Sequence, residues 1–122
     1  MACRGIRGAT TVEVDSADAI LAATRDLLLR MVEANQVAVA EIASAIFTMT
    51  PDLIAAFPAR AARDLGWQHV PLLDAQEVPV PGSLSRSVRV LLLWNTDRSQ
   101  EEVRHVYLRE AASLRPDLRE HE

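Results

Sequence analysis

The stretch RSVRVLLLW, residues 86–94, decides the fold. Strand side chains alternate between two faces. A strand with one wet face would alternate apolar and polar residues, yet Val90, Leu91, Leu92, Leu93 and Trp94 are apolar without a break. A strand apolar on both faces is covered on both sides. The chain offers only one long helix to cover a sheet, so the second face is expected to meet another subunit.

Arg89 lies inside this strand, between Val88 and Val90. A guanidinium among apolar neighbours needs a partner, because an unpaired buried charge is very costly. Two partners are open. One is Glu77, a carboxylate in the largely apolar run LLDAQEV of the neighbouring strand. The other is an anionic ligand. Glu77 has the matching ambiguity: it either pairs with an arginine or accepts a hydrogen bond from a ligand hydroxyl.

Outward from that strand, residues 69–78 predict a strand with Pro71 near its start, an edge position at that point. Pro79, Pro81 and Gly82 make a stiff turn. On the other side, residues 95–98 predict a turn and Ser99 caps a helical turn through Glu102. A last strand opens the run RHVYLREAASLRPDL, residues 104–118. There His105, Tyr107 and Arg109 share one face, and Val106 and Leu108 the other. Leu114, Arg115 and Pro116 end the segment in a rigid turn, and residues 119–122 predict a frayed polar tail.

The N-terminal half supplies the cover. Residues 3–14 predict a strand carrying Gly5 and Gly8, where a bulge could bring Arg4 and Arg7 to one face. Asp15 or Ser16 caps a helix over 17–34. Ile20, Leu21, Thr24, Leu27, Leu28, Met31 and Val32 form its apolar stripe, and Asn35 stops it. Residues 42–49 favour a strand through Ile42, Ile46, Phe47 and Thr48. A short helix over 59–65 follows Pro58, ends at Gly66, and carries Arg60 and Arg63 on one face. The order β-α-β-α-β-β-β predicts an α+β domain with a mixed sheet.

The 122 residues are the size of one domain, residues 1–122. No apolar run is long enough to cross a bilayer, and the N-terminus lacks the order of a signal peptide. A single cysteine, Cys3, fits a reducing cytoplasm. A net charge of −4 argues against nucleic acid. All 13 basic residues are arginine, so lysine-based covalent catalysis is excluded. Arginine stays charged and grips carboxylates through a planar fork. There is no nucleophile elbow, P-loop, dinucleotide fingerprint or zinc-type spacing. His69, His105 and His121 are scattered and read as two strand residues and a tail residue. Nothing implies a metal or an organic cofactor.

Several separated segments carry a resemblance. RGIRGATTVE (residues 4–13), TPDL (50–53), AFPAR (56–60), QEV (76–78), and RHVYL (104–108) followed by LRPDL (114–118) resemble the monofunctional AroH-type chorismate mutases. The resemblance spans nearly the whole chain, in order. It implies a compact trimer of α+β subunits with a barrel-like core and active sites in clefts between neighbours. It implies the Claisen rearrangement of chorismate to prephenate, a unimolecular step that needs no nucleophile, general base or cofactor. By resemblance Arg89 stabilises the charge developing on the ether oxygen. Arg7 binds a substrate carboxylate and, with Tyr107, holds the folded conformer, and Glu77 accepts the ring hydroxyl. Phe57 and Leu114 give apolar walls, and Arg60, Arg63 and Arg115 gather positive potential at the mouth. Ala59 and Leu73 complete the substrate-binding set. Phe57, Arg60 and Arg63 would come from the adjacent subunit.

Two positions depart from the family. Arg60 stands where lysine is frequent, which keeps the charge and alters the geometry. Asp74 stands where a small cysteine- or serine-like donor is common. A carboxylate near a dianionic substrate must pair with an arginine or turn away, so Asp74 is left outside the catalytic set and its backbone N–H is the useful group. The other function compatible with these residues is a trimeric, non-catalytic binding module for a small carboxylated metabolite.

Overall fold

The computed structural model describes residues 1–113. It contains strands β1 (Ala2–Thr11), β2 (Ile42–Met49), β3 (Leu72–Gln76), β4 (Ser87–Thr96) and β5 (Val106–Tyr107), and helices α1 (Ala17–Asn35) and α2 (Ala59–Asp64). Short 3-10 turns occupy Val39–Glu41, Gln100–Glu102 and Arg109–Ser113. The sheet order is β3-β2-β4-β1-β5. β4 runs antiparallel to both β1 and β2, while β3 and β5 add parallel edges. The mixed α+β sheet and its element order are those the sequence predicts. Among the described residues no helix is long and apolar enough to cross a membrane.

One face of the sheet is packed by helices. Ser16 accepts the Ala19 N–H at 3.1 Å and starts α1, and Gln36 closes it in the left-handed conformation (φ 55°). Ile20, Leu27, Leu28 and Met31 of α1 are fully buried. Ile6, Phe47, Val90, Leu92 and Trp94 meet this stripe from the sheet. Gly8 makes the contact possible: a Cβ there would sit 2.3 Å from Met31 Sδ and 3.1 Å from Leu27 Cδ1. Truncating a side chain as buried as Phe47 would cost about 3–5 kcal/mol.

The opposite face carries the alternate residues: Arg7 and Ala9 of β1, Ile46 and Thr48 of β2, Arg89, Leu91 and Leu93 of β4, and Tyr107 of β5. Neither α1 nor α2 covers it; the 3-10 turn at Arg109–Ser113 reaches one end, where Ala111 packs with Ala9 and Tyr107. β4 thus alternates in burial although its sequence does not: Val88, Val90, Leu92 and Trp94 are buried, whereas Leu91 and Leu93 are half-buried.

The structure corrects several local expectations. The register of β1 against β4 is continuous from Ala2 to Thr11, so no bulge gathers Arg4 and Arg7. The irregularity lies in β2, between Ile42 and Ser44. The predicted strand over 69–78 contracts to Leu72–Gln76, where Pro71 precedes it and serves only as an acceptor for the Ala45 N–H (3.0 Å). β4 runs on to Thr96, through half of the predicted turn. β5 contains only Val106 and Tyr107, both buried, and Arg109 takes a positive φ of 54°, so the His105–Tyr107–Arg109 face does not form. Leu114, Arg115, Pro116 and the tail lie outside the described residues.

Candidate active site

The helix-free face holds a cavity of about 480 Å3 whose lining includes Arg7, Ala9, Ile46, Thr48, Arg89, Leu91 and Tyr107. Its geometry follows from the register around Ala9. Arg89 lies directly across from Ala9 on β4, and Tyr107 directly across on β5. Arg7 lies two residues along β1 on the same face. That diagonal separation is about 7–8 Å between backbones, within reach of long side chains. The small side chain of Ala9 leaves room between two guanidinium groups and a phenol. Ile46 and Leu91, paired across β2 and β4, supply an apolar floor.

Glu77 is tied to the cavity through Arg89. Its N–H donates to Met49 O at 2.8 Å, which extends the β2–β3 ladder one residue past β3. Its Oε1 pairs with Arg89 Nε, the neighbour-strand partner that sequence alone could not separate from a ligand. Burial pushes the Glu77 carboxyl above the usual glutamate range, and the Arg89 charge pulls only partly against it. Glu77 Oε2 is buried without a hydrogen-bond partner among the described residues, and so is Thr48 Oγ1. Buried polar atoms left in this state call for a partner. Thr48 was not singled out from the sequence. A hydroxyl alternating with Ile46 on the open face of β2, beside Arg89, is the signal that would have found it.

Asp74 turns away from this cavity. Its Oδ1 accepts the Ala59 N–H at 3.0 Å, at the start of α2 on the helical side of the sheet. Burial raises its carboxyl, while the Ala59 N–H and the Arg63 charge oppose the rise. Its backbone faces elsewhere. Pro71 O and Glu77 N–H both bond to β2, so the odd positions of this strand turn their backbone groups inward. By alternation the Asp74 N–H points to the open edge of the sheet, since β3 is the outermost strand on that side.

The remaining sequence-derived residues do not join the cavity within one chain. Ala59 is the buried first residue of α2. Arg60 is exposed and lies 4.0 Å from Asp64. Arg63 borders a separate groove with Trp67, Gln68, Val70 and Leu72. Phe57 is 69% exposed and Leu73 60% exposed. Leu114 and Arg115 fall outside the described residues.

A larger groove of about 640 Å3 runs along Arg98, the Gln100–Glu102 turn, Val103, Arg104 and His105. It mixes both signs of charge. Arg98 is already engaged there, donating to Gln36 Oε1 at 2.9 Å and lying over the Trp94 ring. The smaller cavity combines an apolar floor with convergent cations, the arrangement expected of a small-molecule site.

Known proteins resemble this chain along its length. A family model described as chorismate mutase type I matches residues 3–118. A chorismate mutase AroH from Thermus thermophilus is 65% identical over 116 residues, covering 94% of this chain and 95% of that protein. Its counterpart from Bacillus subtilis is 46% identical over 119 residues, covering 97% and 94%. The solved structure of a chorismate mutase from Clostridium thermocellum superposes with a TM-score of 0.88 at 48% identity, covering 89% of this chain and 97% of that one.

Proposed function

The chain belongs to the chorismate mutase type I family, and from that premise we propose that the cavity on the helix-free face is where it converts chorismate to prephenate. The enzyme is an isomerase of phenylalanine and tyrosine biosynthesis. The single observation that carries the site assignment is the convergence of Arg7, Arg89 and Tyr107 around Ala9.

The substrate carries two carboxylates, an ether oxygen and a ring hydroxyl. As the C–O bond breaks, negative charge grows on the ether oxygen. A fixed cationic donor aimed there stabilises the transition state more than the substrate. Arg89 takes this role. Its Nε is held by Glu77, so the outer edge of the guanidinium fork faces the reacting bond in one orientation. Arg7 binds a carboxylate and, with Tyr107, keeps the substrate folded, which supplies an orientation term. Glu77 Oε2 accepts the ring hydroxyl, a partner that its buried state calls for. Ile46 and Leu91 exclude water beneath the ring.

The site is completed by a neighbouring copy in a homotrimer, whose sheets close into a barrel-like core. The half-buried Leu91 and Leu93 and the exposed Leu73 and Phe57 support this reading. Phe57, Ala59, Arg60 and Arg63 of that copy would border the mouth, with Leu114 and Arg115 adding to it. The Asp74 N–H, on the open edge, is available to the substrate, while its carboxylate is spent on α2. The enzyme works as a single domain in the cytoplasm.

The test is loss of the conjugated-diene absorbance of chorismate. Arg89→Ala should lower turnover by at least about a hundredfold, the usual loss for such a donor, with assembly unchanged. Arg89→Lys should recover only part, because the fork is lost. Unchanged turnover in Arg89→Ala would misplace the ether-oxygen donor. Wild-type protein that accelerates nothing over buffer would favour the non-catalytic binding module.

A further inference from the structure

β5 pairs with only Gly8 and Ala9 of β1. Upstream, side chains stand in for the missing strand along the outer edge of β1. The Gln100 amide accepts the Gly5 N–H at 2.9 Å and donates to Gly5 O at 2.8 Å. Next along the edge, the Arg7 N–H donates to His105 Nδ1 at 2.9 Å. Then the Leu108 N–H donates to Ala9 O at 2.9 Å. Three successive outward-facing positions of β1, Gly5, Arg7 and Ala9, are thus each held by a different residue of one segment.

We propose that His105 is a positioning residue for Arg7: its neutral imidazole fixes the backbone from which Arg7 reaches the cavity, and a second ring proton withdraws that support. The inference rests on the reading of Arg7 as a carboxylate ligand. An Nδ1 that accepts carries no proton, so the ring is neutral with its proton on Nε2. Once protonated it presents N–H to N–H, and the bond is lost. The mount of the ring is rigid. Fully buried Asn35, at the end of α1, accepts the Arg104 N–H and donates to Arg104 O, both at 2.8 Å. On the other side Val106 and Tyr107 are locked into the sheet. A displaced imidazole therefore has little freedom to follow β1, and the strain falls on the backbone at Arg7.

The charged and titratable groups around the ring come from every adjoining element. Among the described residues they are Arg7 of β1, Arg98 after β4, Glu101 and Glu102 of the 3-10 turn, Arg104 and Tyr107 of its own segment, and Arg30 of α1. Of the side-chain types gathered here, the imidazole is the one whose ordinary charge change falls in mild acid.

The experiment measures KM and kcat between about pH 5 and 8, the range in which histidine changes charge. It compares wild type, His105→Asn, His105→Phe and Arg7→Ala, with the His105 ring followed by NMR in the wild-type enzyme. Asparagine places an oxygen where Nδ1 stood but does not titrate, and phenylalanine keeps the ring without the acceptor. In the wild type, KM should rise about three- to tenfold as the ring gains its proton, the loss of one neutral hydrogen bond. His105→Asn should keep the neutral-pH KM and lose that rise. His105→Phe should show the raised KM at every pH. A wild-type KM profile retained in full by His105→Asn would overturn the inference, as would an unchanged KM in His105→Phe. Arg7→Ala separates the two levels: if it leaves KM unchanged, the reading of Arg7 itself fails. If it raises KM while His105→Phe does not, only the positioning role fails.

Discussion

Asp74 spends its charge on structure rather than on substrate. Burial raises its carboxyl above the usual aspartate value of 3.8, and neither the Ala59 N–H nor the Arg63 charge fully offsets it. The folded chain therefore holds this proton more tightly than the unfolded chain. The associated stability is complete below the unfolded value and is lost as pH rises through the higher folded value. At neutral pH the ionised carboxylate is a net cost, although its hydrogen bond to α2 is favourable. Asp74→Asn keeps the Oδ1 acceptor and removes the charge. It should be more stable than the parent at pH 7, and the gain should vanish as pH falls below the aspartate range. Asp74→Ala removes the bond as well and should be about 1 kcal/mol less stable than Asp74→Asn, the usual worth of a side chain satisfying a helix N-terminus. Urea midpoints at pH 7 and pH 3 decide it (pH values about those of the two limits). An Asp74→Asn enzyme less stable than the parent at neutral pH would reverse the sign.

Among the elements, β1 does two jobs from its two faces. Its open face carries Arg7, and its packed face carries Gly8 against Met31 and Leu27 of α1. Gly8→Ala forces a methyl into that contact and should cost about 1–3 kcal/mol by overpacking. Shortening the facing side chain in Gly8→Ala/Met31→Val should recover part of the loss in chemical denaturation. If the double variant only adds the two penalties, the strand and helix do not meet through this glycine. What was legible in the sequence follows the same division. The α1 stripe is a periodic signal, β4 is readable as a strand from its unbroken apolar run, and strand alternation then places Arg89, Arg7 and Tyr107. The charge pair of Arg89 with Glu77 was readable as one of two options, because a guanidinium in an apolar strand demands some partner. β5 was over-extended because residues 104–109 alternate well. A strand also needs backbone partners, and β1 offers them only at Gly8 and Ala9. The bonds of His105 and Gln100 to β1 join residues 98 and 95 positions apart through side chains. No local pattern encodes them.

At the scale of the whole molecule, the helix-free face cannot be both a finished surface and a finished active site. Leu91 and Leu93 lie half-covered beside the exposed Leu73, and the large apolar side chains of Phe57, Val78 and Val80 are also exposed. Exposed apolar surface of this kind marks an interaction site. Arg63 and Phe57 lie off the cavity that holds Arg7 and Arg89, so in the proposed reading a second copy brings them to the substrate. The proposed cyclic trimer would do so through a heterologous contact, in which each site takes its floor from one copy and its mouth from the next. Leu73→Glu should then lower the mass measured by sedimentation from three chains to one and abolish turnover together. A full-turnover monomer would sink the shared-site reading. Mixing gives the sharper test. Arg89→Ala and Arg63→Ala chains, each impaired as pure assemblies, are unfolded together and refolded at equal concentration. Random assembly in a ring puts an intact Arg89 next to an intact Arg63 in about a quarter of the sites. Turnover should rise toward that fraction of wild type, above the average of the two parents. No rise would mean that both arginines act from the same chain, and the cavity would have to close by a movement within one subunit.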